Sequence, residues 1–189
     1  FAAWAIAGTP PTTDRYEDDS GIGFSYNEAR ITRLFWMLCA IEFLFLPSVA
    51  TIPFHIIAHG MDLGLTTTIA AMLVSAMASG SVLGRLAVGF LIDKFGGRTA
   101  MVLCLITLLS SIISFICIQS PNSLFASMIV YGFAHGGLFT VISPVIAEYF
   151  GLRAHGAIFG SIIFFGTISG SVAPILAGYI FDQTGTYSL

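Results

Sequence analysis

Five apolar runs, at 34–57, 66–92, 100–118, 124–147 and 157–181, set the terms on which this chain can fold. At about 1.5 Å of rise per residue, each is long enough to cross a hydrocarbon core of about 30 Å. Backbone in lipid must satisfy its own hydrogen bonds, so runs of this kind are read as spanning helices. The basic residues fix their direction. Arg15, Arg30, Arg33, Lys94, Arg98 and Arg153 lie in, or at the edges of, the first, third and fifth connecting stretches. The alternate connections, 57–65, 119–123 and 182–189, carry no Lys or Arg. Lys and Arg near helix ends are retained in the cytoplasm, so this alternation supports both the number of spans and their orientation.

Composition agrees. Hydrophobic residues make up 56% of the chain and charged ones 9%, where a soluble domain carries about 25% charged residues. A formal charge of −3 with no basic face excludes a nucleic-acid partner. Cys39, Cys104 and Cys117 sit inside apolar runs without ligand spacing, which makes them small packing residues. No cofactor is implied. No His/Glu pair at helical spacing suggests a metal, and no nucleophile–base pair stands out, so an enzyme is not expected.

Residues 1–7 read as the tail of a preceding span. Residues 8–33, with Pro10, Pro11, the acids Asp14, Glu17, Asp18 and Asp19, and then Gly21 and Gly23, read as a solvated linker. Both chain ends are expected to be truncations. Pro47, Pro53, Pro144 and Pro174 fall within spans and mark kinks. Glycines recur at four-residue spacing (Gly80 and Gly84, Gly132 and Gly136, Gly156 and Gly160, Gly166 and Gly170), with Gly178 further on. Such faces serve either tight helix packing or sliding surfaces in a conformational cycle.

The second run ends Gly89-Phe90-Leu91-Ile92-Asp93-Lys94-Phe95-Gly96, and the fifth ends Gly178-Tyr179-Ile180-Phe181-Asp182-Gln183-Thr184-Gly185. Both read G-x-x-x-D-x-x-G, on opposite sides of the membrane. Inverted repeats of three helices would leave such an echo. After the inner copy, Gly96 and Gly97 permit a tight turn. Asp93 can accept from a helix N-terminus. Lys94 and Arg98 anchor at headgroups or pair with acids on a neighbouring half.

The stretch Gly89, Asp93, Lys94, Gly96, Arg98 resembles the signature cytoplasmic loop of the major facilitator superfamily. The resemblance implies an all-α membrane protein comprising the tail of helix six and helices seven to eleven of a twelve-helix bundle. Inverted three-helix repeats, a central cytoplasmic loop at 8–33 and a transmembrane half at 34–189 follow, with helix twelve and the N-terminal half missing. It implies a multi-pass protein of the plasma (inner) membrane and a cytoplasmic gating role for those five residues. Arg85, in Gly84-Arg85-Leu86-Ala87-Val88-Gly89, is similar in placement to the substrate-binding arginine of monocarboxylate transporters and oxalate/formate antiporters. The segment from Tyr149 to Gly156 also looks like bacterial carriers near those families. The antiporters add a lysine in helix eleven, and 157–181 has no basic residue.

An ionisable group in a span costs about 2.5–3.5 kcal/mol on insertion scales, which makes it a functional candidate. Arg85 lies about 10 Å from the inner end of its run and Glu42 about 12 Å from the same side. Their depths allow a Glu42–Arg85 pair: either Glu42 is a static partner of Arg85 or of a missing helix, or Arg85 binds an anionic carboxylate while Glu42 takes up the coupling proton. Arg85 could also snorkel to the inner headgroups. His135, near the middle of its run, either relays a proton or bonds a neighbouring helix. His55, His59 and His155 receive no role, and Glu148 is expected to pair with a basic loop residue. The function expected is a secondary carrier moving a small anionic solute, an organic monocarboxylate, by alternating access with proton coupling. A carrier of neutral solutes or drugs, or a non-transporting membrane sensor, is the alternative.

Overall fold

A computed structural model describes residues 23–117 and 120–184. The expected tail at 1–7, most of the linker and the last five residues lie outside the described residues. The chain is all-helical in its regular elements: α1 (Tyr26–Arg30), α2 (Arg33–Asp62), α3 (Thr67–Phe95), α4 (Gly97–Cys117), α5 (Pro121–Phe150) and α6 (His155–Thr184). Five of these, α2 to α6, are long and apolar enough to cross a membrane.

The helices run past the apolar runs at most ends, because the backbone ladder continues into polar residues until a cap stops it. Thr32 and Thr66 cap the starts of α2 and α3 with their hydroxyls. Pro121 begins α5, where its missing N–H costs nothing. Gly96 (φ 82°) and Gly151 (φ 74°) end α3 and α5 in a backbone region that other residues resist. Pro47, Pro53, Pro144 and Pro174 do fall inside helices.

The spans pack as two tight seams joined at a common core. Along the α3–α5 seam the glycines interlock reciprocally. A Cβ on Gly80 would strike the Ile129 carbonyl, and one on Gly84 the Phe133 carbonyl. A Cβ on Gly132 would strike the Met77 carbonyl, and one on Gly136 the Ser81 carbonyl. Backbones this close gain dispersion that lipid cannot offer, so the packing reading holds for these four. In the α2–α6 seam, Gly166 rides over the backbone of Glu42, and the Ser169 hydroxyl donates to the Phe43 carbonyl at 2.6 Å. Gly156, Gly160 and Gly178 of α6, and Gly89 of α3, have open space where a Cβ would go. Helix α5 lies at the centre, with Tyr131, Ala134, Leu138, Val141 and Ile146 fully or almost fully buried. Leu44, Phe54, Leu86 and Ile175 point outward from α2, α3 and α6, as lipid-facing residues would. Cys39 and Cys104 are buried free thiols, as expected of packing residues.

The linker reading needs one correction. From Gly23 onward the stretch is folded onto the bundle. Ser25 and Glu28 form a capping box that starts α1. The Phe24 N–H donates to the Phe150 carbonyl at 2.7 Å, and Gly23 bridges Gly151. Tyr26 accepts from the Ser161 hydroxyl at 3.1 Å, and Ala29 is fully buried. Local capping and aromatic contacts outweigh the polar composition here.

Candidate substrate and coupling site

The α3–α5 seam decides what Arg85 meets. Its register sets Ser81 against Gly136 and Gly84 against Phe133. Arg85 and His135 therefore flank the seam from opposite helices. Arg85 itself is exposed on the described bundle. His135 is 8% exposed, and its Nδ1 is buried without a hydrogen-bond partner. The imidazole is walled by aromatic rings: Phe139 at 5.1 Å, Tyr131 at 5.9 Å and Phe45 of α2 at 6.0 Å between centroids. Tyr131 donates its hydroxyl to Ser48 at 3.3 Å, tying α5 to α2 behind the histidine. Sequence reasoning missed Phe45, Ser48, Tyr131 and Phe139. The i, i+4 spacing of Tyr131, His135 and Phe139 was the available signal.

Glu42 does not join this corner. It is 2% exposed on the inner stripe of α2 with Phe35, Leu38, Cys39 and Phe45. A Cβ on Gly166 of α6 would lie 3.0 Å from the Glu42 carbonyl oxygen and 3.2 Å from the Glu42 Cβ. Its Oε2 has no hydrogen-bond partner, and no ion pair joins it to Arg85 among the described residues. The Glu42–Arg85 pair that their depths allow is thus not formed. Equal depth places two residues in one membrane plane, but the rotation of each helix decides which neighbour they face.

At the cytoplasmic end the signature loop is compact. Gly96 makes the turn through its positive φ, whereas Gly97 is needed for space. A Cβ on Gly97 would lie 2.8 Å from Val145 Cγ2 and 2.9 Å from Glu148 Oε2. The Gly97 N–H donates to Glu148 Oε2 at 3.0 Å. The anion at the start of α4 is therefore Glu148 of α5, not Asp93, which is exposed. This also replaces the basic loop partner expected for Glu148. Lys94 folds its ammonium over the Phe95 ring at 5.3 Å, and Arg98 is exposed. Nearby, His155 Nε2 and Ser143 Oγ are hydrogen-bonded at 3.1 Å, and the imidazole stacks on Phe159. A recess of 530 Å³ opens at the inner end of α6, lined by Tyr26, Gly156, Ala157, Gly160, Ser161, Phe164 and Phe165. It includes neither Arg85 nor His135. Among the described residues no group of His, Cys, Asp and Glu could hold a metal ion.

An all-helical, multi-pass membrane protein with an exposed arginine and a buried imidazole flanking one helix seam, and a glycine-turn cytoplasmic loop, is the class so defined. The profile of the Major Facilitator Superfamily matches residues 31–189, and the chain belongs to that family. It is 34% identical over 136 residues to monocarboxylate transporter 13 of Bos taurus, covering 71% of this chain and 32% of that protein. It is 31% identical over 159 residues to monocarboxylate transporter 7 of Homo sapiens, covering 82% and 29%. It is 30% identical over 130 residues to the sialic acid transporter NanX of Escherichia coli strain K12, covering 68% and 31%. The chain thus spans about a third of the length of these curated relatives. These relatives are named as transporters, not enzymes.

Proposed function

We propose that the chain is the C-terminal half of a twelve-helix secondary carrier that moves an organic monocarboxylate by alternating access, coupled to protons. In this reading α2 to α6 are helices seven to eleven, 1–7 is the tail of helix six, and 8–33 is the central cytoplasmic loop. The missing N-terminal half supplies the other wall of the path. Gly89, Asp93, Lys94, Gly96 and Arg98 form the cytoplasmic gating loop. Arg85 binds the carboxylate, and Glu42 and His135 are the coupling candidates.

The observation that carries the reading is Arg85, a guanidinium within a span, with no acidic partner among the described residues. A cation at that depth costs several kcal/mol unless an anion meets it. A planar guanidinium matches a carboxylate with two parallel hydrogen bonds. Phe139, exposed beside His135, offers apolar surface to the rest of a small organic anion. Two of the relatives reported above are named as monocarboxylate transporters, which supports this substrate class.

The test is uptake of a labelled monocarboxylate panel by the intact carrier in proteoliposomes, with and without an inward proton gradient, beside Arg85→Gln. Hydrogen bonds to charged groups contribute about 1.5–3 kcal/mol, so Arg85→Gln should weaken apparent affinity about 10- to 100-fold. Unchanged uptake by Arg85→Gln would make Arg85 structural. Failure of the folded carrier to take up any monocarboxylate would move the search to neutral solutes, drugs or a sensing role.

A further inference from the structure

The membrane-embedded charges of this chain sit in two places that do not touch. Arg85 and His135 flank the α3–α5 seam from opposite helices. Glu42 is enclosed at the α2–α6 seam, 2% exposed, with Oε2 unpartnered. The described helices alone cover Oε2.

The groups around Glu42 leave it without a counter-charge. Helix α6 has no Asp, Glu, Lys, Arg or His between His155 and Asp182. His155 is engaged with Ser143. From α5, the ionisable groups turned toward α2 are Tyr131, whose hydroxyl is given to Ser48, and His135, which lies against Phe45. From α3, the basic group within the span is Arg85, which makes no ion pair with Glu42. On α2 itself, Arg33 is exposed at the inner end and His55 lies thirteen positions on, over three turns toward the other end. A carboxylate enclosed without a partner is strongly disfavoured, and a neutral acid is not. A metal cation needs several oxygen ligands, and Oε2 has no polar group within hydrogen-bond distance.

We infer that Glu42 is the proton site of the carrier, housed in the α2–α6 seam apart from the anion corner at Arg85 and His135. The inference rests on the transport reading above and decides between its two coupling candidates. The bookkeeping of charge supplies the mechanism. With the site open to water, the Glu42 carboxylate binds one proton and becomes a neutral acid. Arg85 is neutralised separately by one substrate carboxylate. The bundle can occlude only when both charges are cancelled, so one proton moves with one monoanion and the net movement is electroneutral. On the other side, parting of α2 from α6 at Gly166 admits water and the proton leaves. The two sites need no shared hydrogen bond, because each blocks occlusion by its own burial cost.

Gln at position 42 is permanently neutral, so Glu42→Gln should remove the proton requirement and spare the anion site. The experiment uses the intact carrier in proteoliposomes with a labelled monocarboxylate. Counterflow exchange by Glu42→Gln should persist, stimulation of net uptake by an inward proton gradient should vanish, and net uptake should become sensitive to an imposed membrane potential. Glu42→Asp, which retains a titratable acid, should keep the stimulation. His135→Gln should change apparent affinity but keep the stimulation ratio. Gradient-driven, electroneutral accumulation by folded Glu42→Gln would overturn the inference. So would stimulation by a sodium gradient in place of a proton gradient. If the wild-type carrier shows no monocarboxylate counterflow, the substrate reading fails, and Glu42 is then tested by infrared titration. A protonated-carboxyl band that Glu42→Gln lacks and that disappears in alkali supports the inference. A Glu42 band absent at every pH, or unchanged at every pH, overturns it.

Discussion

Ser25 and Glu28 close their cap outside the membrane, where pH can act on it directly. The Ser25 N–H donates to Glu28 Oε2 at 2.7 Å, and the Glu28 N–H donates to the Ser25 hydroxyl at 3.4 Å. Glu28 is held below its ordinary value of 4.5, first by the Ser25 backbone bond, then by the Ser25 hydroxyl, with Arg153 adding a smaller pull. A carboxyl depressed in the folded state adds stability that is fully present above its ordinary value. That stability is lost as pH falls through the depressed one. Hydrogen exchange of the α1 amides, relative to the intrinsic rate at each pH, should therefore be constant from neutral pH down to mild acid and rise only below the ordinary carboxylate range. Glu28→Gln should show faster exchange already at neutral pH. A rise centred near neutrality would mean that another group holds α1. The cap was legible, since Ser25-Tyr26-Asn27-Glu28 has the Ser-x-x-Glu spacing of a capping box. The density of acids, prolines and glycines before it hid that signal in a linker reading.

Among elements, the α3–α5 seam makes the sharpest stability claim. Gly84 and Gly136 face backbone carbonyls, which cannot swing aside as a flexible side chain can. Gly84→Ala or Gly136→Ala should cost about 1–3 kcal/mol, the usual range for overpacking. Gly89→Ala and Gly160→Ala meet nothing within 4 Å and should be close to neutral in this chain. Thermal unfolding in detergent would separate the two sets, and equal losses in all four would refute the interlocked seam. The four-residue glycine spacing was visible in sequence, but not which glycines were locked. Spacing gives a face, whereas packing depends on the rotation of the partner helix. The same limit explains Glu42. Its depth was readable from residue counts, and its turn toward Gly166 was not. Glu148 is a third instance, since its bond to Gly97 spans 51 positions and follows no local pattern.

At the scale of the molecule, the contacts gather one end of the bundle. Phe24 is bonded to Phe150, Gly23 to Gly151 and Gly97 to Glu148, so the starts of α1, α4 and α6 and the ends of α3 and α5 share a face. Arg30, Arg33, Lys94, Arg98 and Arg153 all belong to that end. The opposite turns, Leu63 to Thr66 and Ser120 to Ser123, carry no basic residue. The packing therefore gathers at one end the connections that the charge rule assigns to one side. Single cysteines placed in the intact protein at Thr99 or Arg153 should resist a membrane-impermeant thiol reagent in sealed cells and react after permeabilisation. Cysteines at Gly64 or Ser123 should react at once. The background carries Cys117→Ser, and Cys39 and Cys104 are buried. Immediate labelling at Arg153 would invert the bundle. Under the proton-site inference it would also exchange the membrane faces on which Glu42 gains and loses its proton.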